Sequence, residues 1–211
     1  MLARLAAAGG KEVESGKLTS PQSSAALAIN SFGWFVERPE RLPPLCGFED
    51  ARASQLVDVE FCARLPWTGG RHPWLDAIVQ TATTMIGVEC KRFEPFRDAK
   101  SVNLSKAYDR PVWGDDMHGF ERMRDRLRSG AERFFHLDAA QLVKHALGLV
   151  TEGKRRGRRP ALFYLFAETE QGAGRGVPAK SFPAIATRSP ALARRSEAPR
   201  WRSIPPAIGN G

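Results

Sequence analysis

Two short, mostly apolar runs, Leu75 to Val79 and Met85 to Cys90, flank the polar stretch Gln80 to Thr84 in HPWLDAIVQTATTMIGVECKRFEPF. No other feature constrains the fold of this chain as much. The pattern predicts a β-hairpin with Asp76 on the first strand and the triplet Glu89-Cys90-Lys91 on the second. Side chains alternate along a strand, so Glu89 and Lys91 share a face and Cys90 takes the other. With Asp76 on the first of these faces, two carboxylates and one ammonium converge. Carboxylates so arranged bind a hard divalent cation, and a lysine beside them positions or activates a water.

The chain has 211 residues and is 42% hydrophobic, enough for one α/β domain with a core. No apolar run reaches the length of a membrane span. The opening MLARLAAAGGKEVESGK has too short an apolar patch for a signal segment, and acids follow at once. Cys46, Cys62 and Cys90 lack the spacing of zinc ligands or of a disulfide framework. Cys62 and Cys90 fall inside expected strands and read as small buried hydrophobes. These features point to a reducing cytoplasm and to no membrane partner.

Net charge is +9, but it is unevenly spread. Residues 171–211 hold seven basic side chains against the single acid Glu197, which leaves 25 basic and 22 acidic residues, a net of +3, for residues 1–170. The body of the chain is nearly balanced, so overall basicity is no argument for nucleic acid; a local basic rim would suffice.

Three segments follow. Residues 1–20 read as a flexible arm and 21–170 as the folded domain. In 171–211, Arg, Ser, Pro, Ala and Gly dominate and helical periodicity is lost. That tail fits either natural disorder or a change of reading frame, which codon degeneracy permits.

Within the domain, Ala25, Ala28, Ile29 and Phe32 mark a helix face capped by Ser23 or Ser24. Leu56 to Arg64 alternates as a strand, and the hairpin follows after a turn in WTGGRHPW. Residues 93–116 are polar and irregular. Phe120, Met123 and Leu127 mark a second helix with Arg122, Arg124, Asp125, Arg126 and Arg128 on its outer side. Asp138 caps a third, with Ala139, Leu142, Val143, Ala146 and Val150 on its apolar side; GKRRGRRP reads as a solvated basic turn. ALFYLFAE is a buried central strand. The tryptophans Trp34, Trp67, Trp74 and Trp113 read as packing.

An α-β-β-β-α-β order with aspartate in the second strand and Glu-x-Lys in the third resembles the core of the PD-(D/E)XK nuclease superfamily. The segments SSAALAINSFGWF, VEFCARLPWTGGRHPWLDAIV, IGVECKRFEP and HLDAAQLVKHALGL are similar to a bacterial group of restriction-endonuclease-like proteins. One departure is that Pro73 lies three positions before Asp76 and not directly before it. The resemblance spans about Pro21 to Glu168 and implies a restriction-endonuclease-like αβββαβ fold, a central mixed sheet flanked by helices. It also implies Asp76 and Glu89 as ligands of Mg²⁺ (or Mn²⁺), Lys91 serving the attacking water, Glu60 as a third acid near the metal, and DNA as substrate. A homodimer is compatible with it.

Further residues are read both ways. Superfamily members often bring a glutamine or lysine from the later helix to the site, which makes Gln141 and Lys144 accessory candidates; with His145 they otherwise form a solvated face. His72 either touches a substrate phosphate or caps the turn, and the turn is the favoured reading. His118 and His136 have no partner spacing of a metal site. Two functions compete: a Mg²⁺-dependent DNA endonuclease, and a nuclease-fold protein that binds nucleic acid or a partner without cutting.

Overall fold

A computed structural model of the chain describes residues 16–20, 23–48, 54–92, 101–134 and 137–167. Most of the expected arm, the whole expected tail and His136 lie outside these residues. The described elements are helix α1 (Ser24–Phe32), strands β1 (Leu56–Cys62), β2 (Trp74–Gln80) and β3 (Thr84–Lys91), helices α2 (His118–Ser129) and α3 (Ala139–Arg156), and strand β4 (Arg159–Phe166), with short 3₁₀ turns between them. The sheet order is β1-β2-β3-β4. The first two pairings are antiparallel and β3–β4 is parallel, so α2 and α3 lie on the crossover that a parallel pair requires. This is a mixed four-stranded α/β sheet flanked by helices.

The expected hairpin forms, one residue longer at each strand end. Its turn closes on itself: Thr81 N–H donates to the Thr84 carbonyl at 2.9 Å, and Thr84 N–H donates to Thr81 Oγ1 at 2.9 Å. β3 is central, and seven of its eight residues are buried. That accounts for its nearly unbroken apolar run. On one face of the sheet α1 packs over Val57, Val59, Ala77, Val79, Ile86, Val88 and Cys90. Ser23 caps this helix by accepting the Ala26 N–H at 3.0 Å.

On the other face lies α3, started by Asp138, whose carboxylate accepts the Gln141 N–H at 2.9 Å. It approaches the sheet closely because small residues stand at the contact. A Cβ on Gly148 would lie 2.8 Å from the Ala63 and Pro73 side chains, and one on Gly153 would lie 2.7 Å from the Arg158 carbonyl. Leu149 fits against Leu75, Ile78 and Met85 where Gly87 leaves room.

Three readings are corrected. Arg124 is not on the outer face of α2: it is buried and donates to the Tyr108 carbonyl and to Asp125. A cation there is tolerated because its donors are taken up by a carbonyl and carboxylates. GKRRGRRP is exposed as expected but is not all turn: α3 runs on to Arg156 and ends at left-handed Gly157. Lys154 reaches back to the Trp113 carbonyl at 2.8 Å, and Arg155 to those of Arg64 and Leu65 at 3.0 and 3.1 Å. Among the tryptophans, Trp113 is buried against Trp67 and Tyr108, whereas Trp34 and Trp74 are exposed.

Candidate functional site

The regular alternation of β1 and β2 breaks at one level. Val59 pairs with Ala77 and Phe61 with Leu75, with Glu60 and Asp76 between them. Val59 and Ala77 belong to the cluster under α1, yet Phe61 and Leu75 belong to the cluster under α3. Residues two apart in a regular strand share a face, so both strands turn over at Glu60 and Asp76. The cause is local: Glu60 has φ of 55°, the one positive value at a non-glycine among the described residues. A left-handed residue inside a strand kinks and twists it, a device common beside functional sites.

Asp76 emerges at this kink. The β2–β3 pairing reaches Ala77 opposite Val88, and beyond it Asp76 Oδ2 accepts the Cys90 N–H at 2.6 Å. The first acid is therefore bonded to the backbone between Glu89 and Lys91. On the α3 side of β3, Glu89 Oε1 lies 2.6 Å from Lys91 Nζ, with the carboxylate 2% and the lysine 16% exposed. The expected alternation holds: Glu89 faces α3, while Cys90 sits under α1. Burial pushes the Cys90 thiol well above its ordinary range, and Asp76 and Glu89 add to the shift. Its inertness fits a small hydrophobe.

The end of β3 is held on both sides. Arg92 N–H donates to Ser24 Oγ at 3.0 Å, and Ala167 N–H donates to the Lys91 carbonyl at 3.1 Å. Tyr164 stands beside Glu89 in the parallel β3–β4 pair.

His145 is the residue that the sequence reading missed. It lies on the sheet side of α3, not on a solvated face: its side chain is 3% exposed and its Nδ1 is 3.2 Å from Glu89 Oε2. Burial, then Lys91 and Lys144, push its pKa down to about 3 against a hydrogen bond with the Trp74 backbone, so the ring is neutral near pH 7. A signal was present. His145 is in helical step with Leu142, Gly148 and Leu149, inside the stripe that meets the sheet.

The other candidates divide. Gln141, one turn before His145, is on the same side of α3, and Lys144 is its half-buried neighbour. His72 caps the turn, its Nδ1 accepting the Leu65 N–H at 3.1 Å. Glu60 sits at the level of Asp76 on the adjoining strand. His118 is on the surface, 2.9 Å from Glu121.

Among the described residues no three His, Cys, Asp or Glu side chains are grouped so as to hold a metal ion. Two carboxylates nevertheless suit Mg²⁺ or Mn²⁺. Mg²⁺ keeps several waters and is usually bound by one or two carboxylates plus substrate phosphates. The donors at Asp76 and Glu89 are hard oxygens, and each is held by a defined partner. Among the described residues no helix is long and apolar enough to cross a membrane. Comparison with family models, with curated proteins and with solved structures gives no match to this chain.

Proposed function

We propose that this chain is a divalent-cation-dependent nuclease of the PD-(D/E)XK type that hydrolyses DNA phosphodiester bonds. The observation that carries the reading is the junction at Cys90: Asp76 holds its N–H at 2.6 Å, and Glu89 and Lys91 flank it, paired at 2.6 Å. The order of one helix, three strands, two helices and a strand, with the parallel β3–β4 pair around this junction, supports it.

In this reading Asp76 and Glu89 hold Mg²⁺ or Mn²⁺. The ion supplies Lewis-acid stabilisation of charge on the phosphoryl oxygens and a lowered pKa for a water bound to it. Lys91 is more exposed than Glu89, and its ammonium already lies on Glu89. A lysine paired with a carboxylate stays protonated, so its role is to orient the attacking water and to steady the negative transition state. Asp76, bonded to the main chain, sets its oxygen relative to Glu89 without a flexible intermediary. Glu60, at the same level, is a third acid for the metal in this scheme.

A second reading, a nuclease-fold protein that binds DNA or a partner without cutting, has one observation in its favour: no group of three ligating side chains occurs among the described residues. Plasmid cleavage in Mg²⁺ separates the two. Wild type is expected to nick or linearise DNA, with Asp76→Ala and Lys91→Ala slower by about 10²-fold or more. Wild-type cleavage no faster than that of these variants, with DNA retention intact, favours the second reading.

A further inference from the structure

The C-terminal end of α3 gathers cations from two distant stretches of chain. Lys154, Arg155, Arg156 and Arg159 are exposed, Arg158 is half-buried, and exposed Arg64 is brought alongside from the segment after β1. The join is direct: Arg155 donates to the carbonyls of Arg64 and Leu65 at 3.0 and 3.1 Å.

Most of this charge is held in place without being neutralised. Lys154 donates to the Trp113 carbonyl at 2.8 Å, and Arg158 to the side-chain oxygens of Gln80 and Gln55. These acceptors carry no charge. Among the described residues, the one acid paired with any of the six is Glu152, which is buried and serves Arg155 and Arg156. The helix macrodipole favours cations in a last turn. It accounts for Lys154, Arg155 and Arg156, but not for Arg64, Arg158 or Arg159. Like charges crowded around one helix end repel one another, and a polyanion relieves that repulsion.

We propose that this surface binds the phosphate backbone of duplex DNA. All but one of the cations are arginines, whose planar fork matches phosphate oxygens. A membrane surface would need an apolar face beside the charges, and that of α3 is buried against the sheet and α2. The surface also adjoins the strand of the site. Arg156 lies 5.5 Å over the ring of Phe61, which follows Glu60 and is on the α3 side of the sheet, as Glu89 is. The choice of DNA rests on the nuclease reading above, and deepens it by naming a surface that holds the substrate away from the reacting bond.

The test measures binding of the full chain to a fluorescent duplex of about 30 base pairs by anisotropy, in EDTA, between about 50 and 200 mM NaCl. The basic side chains of residues 171–211 are common to every variant, so only differences are read. Arg156→Gln/Arg159→Gln is expected to bind about tenfold more weakly and to lower the slope of log affinity against log salt by about 2. Arg156→Lys/Arg159→Lys keeps the charge and is expected to keep the wild-type slope. Arg159→Gln alone, at an exposed position, carries the test if the double variant folds poorly, with a slope lowered by about 1. Weaker binding by the glutamine variants sustains the inference even if wild type cuts no DNA in Mg²⁺, a result that would remove the nuclease reading alone. Duplex binding with a slope unchanged in these variants overturns the inference, and wild-type cleavage in Mg²⁺ would then leave the nuclease reading standing. Absence of duplex binding at the lowest salt also overturns it, as does tighter binding to RNA of the same length or to phosphatidylserine vesicles.

Discussion

Asp76 and Cys90 are joined by a side-chain-to-backbone hydrogen bond of 2.6 Å, made just past the last paired residues of β2 and β3. One oxygen of the first acid thus completes the hairpin at the residue that follows the second acid. Fold and site share this atom, and substitutions can separate the two roles.

Asp76→Asn keeps an oxygen that can accept the Cys90 N–H but removes the negative charge. Thermal stability close to wild type is expected, together with loss of Mn²⁺ binding and of DNA cleavage. Asp76→Ala strands the Cys90 N–H and is expected to cost about 1–3 kcal/mol in addition. Urea unfolding of the two variants measures the difference.

Lys91 compensates a carboxylate that is 2% exposed. Removing one partner of a buried pair leaves the other charge unmet, so Lys91→Met is expected to lose on the order of 3 kcal/mol. A divalent cation restores a positive neighbour to Glu89. Mn²⁺ should therefore raise the melting temperature of Lys91→Met more than that of wild type, as differential scanning fluorimetry would record.

His145 takes up a proton near pH 6.5 when unfolded but only near pH 3 when folded. Between those values the unfolded state binds more protons, so stability falls as pH drops through the window. Wild type is expected to lose more stability than His145→Gln between pH 6.5 and 4, measured by urea unfolding. Parallel curves would mean that the buried ring is not the titrating group.

Gly148 lets α3 rest on Ala63 and Pro73. An alanine at an exposed helical glycine would add about 1 kcal/mol of stability. Here the new Cβ would also lie 3.0 Å from the Ala63 carbonyl oxygen, backbone that gives way poorly. Gly148→Ala is expected to destabilise the fold by about 1–3 kcal/mol.

The strands and the helix caps were legible in the sequence because alternation, apolar runs and an Asp or Ser before a helix act over a few residues. Ser23, Asp138 and the hairpin turn at Thr81–Thr84 are of this kind. The buried polar groups were not. Arg124 is buried because a carbonyl 16 residues away receives it, and Lys154, though exposed, is held by the Trp113 carbonyl 41 residues away. Such partners appear only once distant segments meet, so a charged residue reads as solvated until its carbonyl is found. His145 hid for the same reason, as a polar residue on a stripe whose neighbours met the sheet. The kink at Glu60 was likewise hidden, since no glycine or proline marks its positive φ.

The central claim is that Asp76 and Glu89 hold one divalent cation. Crystals soaked in Mn²⁺ and measured at the manganese edge test it directly. A single anomalous peak within about 2.0–2.6 Å of a carboxylate oxygen from each of Asp76 and Glu89 is the expected result. Manganese bound elsewhere on the protein, with no peak between these two residues at a saturating concentration, would contradict it.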